Sequence, residues 1–171
     1  MITKCNIKST ATLKPKKDKR ARKHKAVENM VAQARKYLEG YGIRPSVQRV
    51  AVMNYLLTHR THPTVDEIYS ALAPDMPTLS RTTVYNTLHL LYSSGAILAL
   101  GIEESNLRFD GYTHPHAHFL CTECGNVFDV EFDDTEFVSR NAPRNAASIT
   151  EAQLYYKGVC TDCATQSKKI Q

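Results

Sequence analysis

The sequence predicts an α+β protein in which several short helices closed by a hairpin precede a smaller unit of mixed helix and sheet. Two observations carry the prediction. Apolar residues recur at helix spacing through residues 27–91 and then switch to two short strand-like runs. Beyond residue 110 the chain turns acidic, with short apolar runs and two cysteine pairs. The 171 residues, 42% hydrophobic and 23% charged, fit one large or two small domains and exclude collagen-like or wholly disordered chains. No run approaches the roughly 18 consecutive apolar residues of a membrane span, so no membrane partner is expected.

Charge divides the chain into three parts. Residues 1–25 hold ten Lys or Arg against Asp18 alone, a net of +9, while residues 26–100 carry +1 and residues 101–171 carry −5. So basic a segment with few apolar residues cannot bury enough surface to offset its ordering entropy, and residues 1–25 are expected to form a disordered tail. It lacks the apolar core of a signal peptide, which predicts a cytoplasmic protein. The expected domains are the tail at 1–25, a helical unit with its hairpin at 26–110, and a second unit at 111–171.

From Val27, the residues Met30, Ala34, Tyr37 and Leu38 form a helical stripe that Gly40 and Gly42 stop. Ser46 caps a second helix through Val50, Met53, Leu56 and Leu57, and Thr64 opens a third with Ile68, Tyr69 and Leu72, ended by Pro74 and Pro77. Ser80 starts a fourth, with Val84, Leu88 and Leu91 on one face and Gly95 at its end. Strands over residues 96–102 and 106–109 enclose a Glu-Glu-Ser turn. Helices followed by a hairpin is the order of a winged helix-turn-helix, whose last helix enters a DNA major groove. Ser80, Arg81, Thr82, Thr83, Tyr85, Asn86 and His89 crowd the start of the fourth helix, where a helix offers donors to phosphates and bases. A solvated polar face is the alternative. Further on, apolar runs at 119–120, 127–132 and 152–159 and a helix over 133–140 predict a small α/β unit.

Of five cysteines, Cys121/Cys124 and Cys160/Cys163 form two CxxC pairs, and Cys5 stands alone. Each CxxC turn aims two thiolates at one point, so two such turns complete a tetrahedral structural Zn2+ site; a thiol switch is the alternative. Gly125 and Gly158 suit the tight turns beside the pairs. His114, His116 and His118 share one face of an extended strand, so at least two imidazoles can reach one ion. Asp110 and Asp129 are near in sequence. A mixed imidazole and carboxylate set suits iron, manganese or zinc, unlike an all-sulfur site, so two different metal sites are expected.

His62-Pro63-Thr64 leading into Asp66-Glu67-Ile68-Tyr69, Thr83-Val84-Tyr85-Asn86-Thr87-Leu88, His116-Ala117-His118 spaced to Cys121-Thr122-Glu123-Cys124-Gly125, and Cys160/Cys163 together resemble the ferric uptake regulator family over residues 27–165. The resemblance implies a homodimeric, metal-responsive repressor with an amino-terminal winged helix and a carboxy-terminal dimerisation domain, bound to a double-stranded DNA operator. It implies regulatory ligands at His62, Asp110, His116, His118 and Asp129, with Fe2+ or Mn2+ as the ion and Zn2+ able to occupy the site in isolated protein. It also implies Tyr85 and Asn86 as recognition-helix contacts and Arg44 as a minor-groove contact. Arg49 and Arg81 are candidate phosphate contacts, with an ordinary solvated surface as the alternative. For Tyr85 the alternative is a packed core position.

Within the family, Asp129 and Asn86 resemble the peroxide-sensing branch, since iron-uptake repressors usually carry Glu and often Arg there. Pro115 and Ala117 cannot ligate, so the interleaved site of many iron- and zinc-uptake members is not expected. Peroxide sensing is therefore the expected function, with an iron- or zinc-uptake repressor as the alternative within the family. A zinc-ribbon module binding RNA or protein is the alternative from another class. An enzyme is not expected, because the HExxH and zinc-deaminase patterns are missing from the sequence.

Overall fold

The structure is a computed structural model and describes residues 19–131, 140 and 142–167. Helices α1 (Lys19–Gly40), α2 (Val47–Thr58), α3 (Val65–Leu72) and α4 (Arg81–Ser93) precede strands β1 (Leu98–Leu100) and β2 (Arg108–Asp110); a 3-10 turn, Ala73–Asp75, follows α3. Strands β3 (Ala117–Cys121), β4 (Val127–Val130) and β5 (Tyr155–Gly158) and helix α5 (Thr161–Ser167) complete the described chain. The α+β architecture is the expected one.

The helix starts follow the expected caps. Ser46 and Ser80 accept backbone N–H groups of Arg49 and Thr83, and Thr64 and Glu67 form a reciprocal capping box that satisfies two otherwise unpaired donors. Ala34 and Leu38 of α1, Met53 and Leu56 of α2, Ile68 of α3 and Val84, Leu88 and Leu91 of α4 are buried in one core with Ile97 and Phe109. Met30, placed on the same stripe by sequence, is 38% exposed. Four helical faces closed by an antiparallel two-stranded sheet make a winged helix.

Two boundaries differ from expectation. Helix α1 begins at Lys19, so residues 19–25 of the expected disordered tail are helical. Lys and Arg are good helix formers, and a helix already nucleated around Ala34 and Leu38 extends backwards one hydrogen bond per residue. The hairpin strands are also shorter, Leu98 pairing with Asp110 and Leu100 with Arg108 around a loop over 101–107. Residues 1–18, including Cys5, and residues 133–139 of the expected helix over 133–140 lie outside the described residues.

The second sheet has the order β4-β3-β5, antiparallel between β3 and β4 and parallel between β3 and β5. Strand alternation divides its faces. Leu120 and Val127 pack with Leu100 and Ile102 of the hairpin loop end, joining the sheet to the winged helix. Phe119 lies beside Phe128 and Tyr156 in register, and the last two are 42% and 46% exposed. No described helix is long and apolar enough to cross a membrane.

Candidate metal centre

Strand β3 carries a histidine near one end and a cysteine at the other. At its start, His118 lies directly across from Asp129 of β4, so both side chains leave the same face of the sheet. His116, two residues earlier, joins them. Its Nδ1 donates to the His114 carbonyl at 2.7 Å, which fixes the tautomer and leaves Nε2 with a free lone pair. His114 thus contributes its backbone, while its exposed ring lies outside the cluster.

The other two members come from the winged helix. Asp110 ends β2, and Gly111 after it passes so close to α2 that an added Cβ would sit 3.2 Å from the Leu56 backbone. A side chain there would press on the α2 backbone, which would have to give by a few tenths of an ångström. His62 lies in the turn between α2 and α3 with φ +50, a left-handed conformation unusual for a non-glycine residue and further constrained by Pro63. Such strain is held by its surroundings. Here Arg108 donates to the His62 carbonyl at 3.1 Å, and the Phe109 N–H donates to the Pro63 carbonyl at 3.0 Å.

His62, Asp110, His116, His118 and Asp129 each offer one ligand atom, all within 4.8 Å of one another. His62 Nε2 is 2.7 Å from Asp129 Oδ1, and His116 Nε2 and His118 Nε2 are 3.1 and 3.7 Å from Asp110 Oδ2. Yet His62 Nε2, His116 Nε2, His118 Nε2 and Asp110 Oδ2 are buried without a hydrogen-bond partner. Buried polar atoms are normally paired. Lone pairs from three imidazoles and two carboxylates that converge without bonding one another match the donor set of a divalent transition metal. Charge supports this. Burial pushes the His62 imidazolium down, favouring the neutral, ligating form. Burial opposes ionisation of Asp110, but His116, His118, the Tyr112 N–H and His62 outweigh it and hold its carboxyl well below the usual range. The Asp110 contact acts the other way on His116, raising it, so a metal bound there would have to displace a proton.

At the far end of β3, Cys121, Cys124, Cys160 and Cys163 also bring their sulfurs within 4.8 Å. The Cys121–Cys124 turn closes with Gly125 N–H donating to the Cys121 carbonyl at 2.9 Å, Gly125 having φ +71. Parallel pairing sets Cys121 against Gly158, and the Thr122 N–H donates to the Gly158 carbonyl at 2.7 Å, which delivers Cys160 to the first pair. None of the four is in a disulfide. Backbone N–H groups of Cys124 and Cys160 lower the Cys121 thiol to about 6, while Cys163, sharing a proton with Cys160, is pushed up to about 12. Four sulfurs sharing protons are the donor set that a tetrahedral zinc ion completes.

A model of the ferric uptake regulator family matches residues 40–157. The peroxide-responsive repressor PerR of Staphylococcus aureus is 35% identical over 139 residues, 81% of this chain and 94% of that protein. The chain belongs to the ferric uptake regulator family. Among solved structures, the Helicobacter pylori ferric uptake regulator Fur is similar with a TM-score of 0.62 at 21% identity, covering 81% of this chain and 93% of that one. A zinc uptake regulator complexed with zinc and DNA gives 0.64 at 21% identity, covering 82% and 97%. At these identities the likeness is one of fold.

The residues singled out on the winged helix of this family member lie on one side of α4 and around α2. Tyr85 is 53% exposed, which removes the alternative of a packed core position, and Asn86 is exposed beside it. Asn86 and Arg49 line a groove of about 290 Å³ with Ser46, Gln48 and Thr83. Arg49 Nη1 donates to the carbonyl of exposed Arg44 at 2.8 Å. Arg81 bonds Asp66 at 2.6 Å and lies 4.5 Å from the Tyr69 ring centroid, so it is engaged within the protein.

Sequence reasoning missed two arginines. Arg60 bonds Asp129, and Arg108 bonds the Glu103 carboxylate and the carbonyls of His62 and Gly125. Arg108 thereby touches the turn that carries His62 and the turn that follows Cys124. The contacts that matter here had no local signal, since Arg60 and Asp129 are 69 residues apart and Arg108 reaches the His62 carbonyl across 46.

Proposed function

We propose that this chain is a homodimeric, metal-responsive transcriptional repressor of the peroxide-responsive type, and not an enzyme. The single observation that supports it most is the mixed cluster: His62 and Asp110 come from the winged helix, and His116, His118 and Asp129 from the β3–β4 sheet. An ion held by all five stabilises only the placement of the two units in which His62 approaches the others, and so shifts the population toward that placement. In a dimer, two winged helices would then be held at the spacing of two operator half-sites on double-stranded DNA. The exposed Phe128 and Tyr156, flanking half-buried Phe119, offer an apolar surface for a second copy.

In this reading the domains divide at 26–110 and 111–171. Cys121, Cys124, Cys160 and Cys163 hold a structural Zn2+, and His62, Asp110, His116, His118 and Asp129 hold a regulatory Fe2+ or Mn2+. Tyr85 and Asn86 read bases, Arg44 enters a minor groove, and Arg49 and Arg81 meet phosphates, Arg81 after giving up Asp66. Ferrous iron held by these residues would supply the electrons that reduce peroxide, which manganese would not. The protein's part is to hold oxidisable imidazoles against the ion and to leave a cleft to it. That cleft, about 410 Å³, is lined by residues including Tyr112, His116 and Asp129.

Mass spectrometry of iron-loaded and manganese-loaded protein after peroxide exposure tests this reading. A gain of one oxygen on His62 or His116 with iron alone is expected. No gain would contradict peroxide sensing and favour an iron-uptake repressor. The basic amino terminus has its own test: removing residues 1–25 should weaken DNA binding and flatten its salt dependence while metal control persists, because each neutralised phosphate releases counterions. An unchanged salt slope would contradict that role.

A further inference from the structure

Each carboxylate of the mixed cluster has one oxygen turned inward and the other tied outside it. Asp110 directs Oδ2 at His116, and its Oδ1 accepts the Tyr112 N–H at 2.9 Å. Asp129 directs Oδ1 at His62, and its Oδ2 accepts from Arg60 Nη2 at 2.5 Å. Arg60 is itself seated, its guanidinium 4.4 Å from the centroid of the Tyr112 ring. Arg60, Tyr112 and Asp129 line the same cleft, together with Pro115, His116 and Glu131.

We propose that Arg60 is a positioning residue that holds Asp129 to a single inward oxygen and so keeps one coordination position of the bound ion open toward this cleft. The inference rests on reading the mixed cluster as a metal site. Five residues giving one atom each supply five donors, whereas octahedral geometry, common for manganese, takes six. A carboxylate can bind a metal through one oxygen or both. Closing Asp129 onto the ion with both oxygens would break a charge-assisted hydrogen bond and draw Arg60 from its seat on Tyr112. With Arg60 in place the sixth position is left to a small ligand entering from the cleft, such as water or peroxide. Arg60 is itself half exposed, with 53% of its side chain accessible, so its replacement leaves the core intact.

The experiment counts water molecules bound to Mn2+ by water-proton relaxation in zinc-loaded wild type, R60Q and R60K. Bound water is expected in the wild type and in R60K, which keeps a cation for Asp129 Oδ2, and its loss is expected in R60Q. Loss in R60K as well would assign the effect to the planar guanidinium and still support the proposal. Wild-type relaxation in R60Q, or no bound water in the wild type, would overturn it. H62A separates the two levels of the argument. If it binds Mn2+ as tightly as the wild type, the ion sits elsewhere and the metal-site reading fails first.

Discussion

The two clusters at the ends of β3 differ in what each needs before it can form. The cysteine cluster draws all four sulfurs from one unit, from the end of β3 and the turn after it and from the stretch between β5 and α5 and the first turn of α5, and backbone hydrogen bonds within that unit set its geometry. The mixed cluster takes His62 and Asp110 from the winged helix and the rest from the sheet, and its buried donor atoms lack hydrogen-bond partners. An ion in the first stabilises a fold. In the proposed reading an ion in the second would stabilise an arrangement of two folds, so its loss would change shape without unfolding either.

That contrast can be broken most severely at the cysteines. C160S should lose the structural zinc and unfold the β3–β5 sheet, since structural zinc contributes about 10–16 kcal/mol in small zinc domains. Atomic absorption and circular dichroism check this, and a cooperatively folded sheet without zinc would contradict it. H62A should behave oppositely. Zinc content and thermal stability should hold, while Mn2+ affinity measured by calorimetry falls about 100-fold or more, the upper end of what losing even a ligand's supporting contact costs. An H62A protein that lost zinc would erase the distinction between the clusters.

Arg108 sharpens the same comparison, because its part-buried side chain bonds the His62 carbonyl and the Gly125 carbonyl at once. R108M leaves those carbonyls and Glu103 unpaired and should cost about 2 kcal/mol in urea denaturation. It should also weaken Mn2+ binding by less than H62A does. Unchanged stability would mean that the arginine merely fills space between the units.

The clusters also differ in how far the sequence reveals them. Cys121, Cys124, Cys160 and Cys163 declare themselves by spacing, and Ser46, Thr64 and Ser80 by their place before helical stripes, because turns and caps are local chemistry. The mixed cluster is half local: His116 and His118 alternate along a strand, but His62 and Asp110 join them through the family resemblance. The parallel pairing of β5 with β3 has no local signature, and neither do the Arg60–Asp129 and Arg108–His62 contacts, which span long stretches of chain. The start of α1 was misplaced because charge composition speaks for solvation and is silent on helix propagation. Tyr85, open between core and surface by pattern alone, is resolved by its exposure.

Small-angle X-ray scattering of the zinc-loaded protein with and without Mn2+, for wild type and H62A, addresses the coupling of the two units most directly. Mn2+ should change the scattering profile of the wild type, reporting a new placement of the winged helix against the sheet unit, and leave H62A unchanged. Identical responses in the two proteins, or no response in the wild type, would contradict the claim that an ion shared through His62 sets the shape of this repressor.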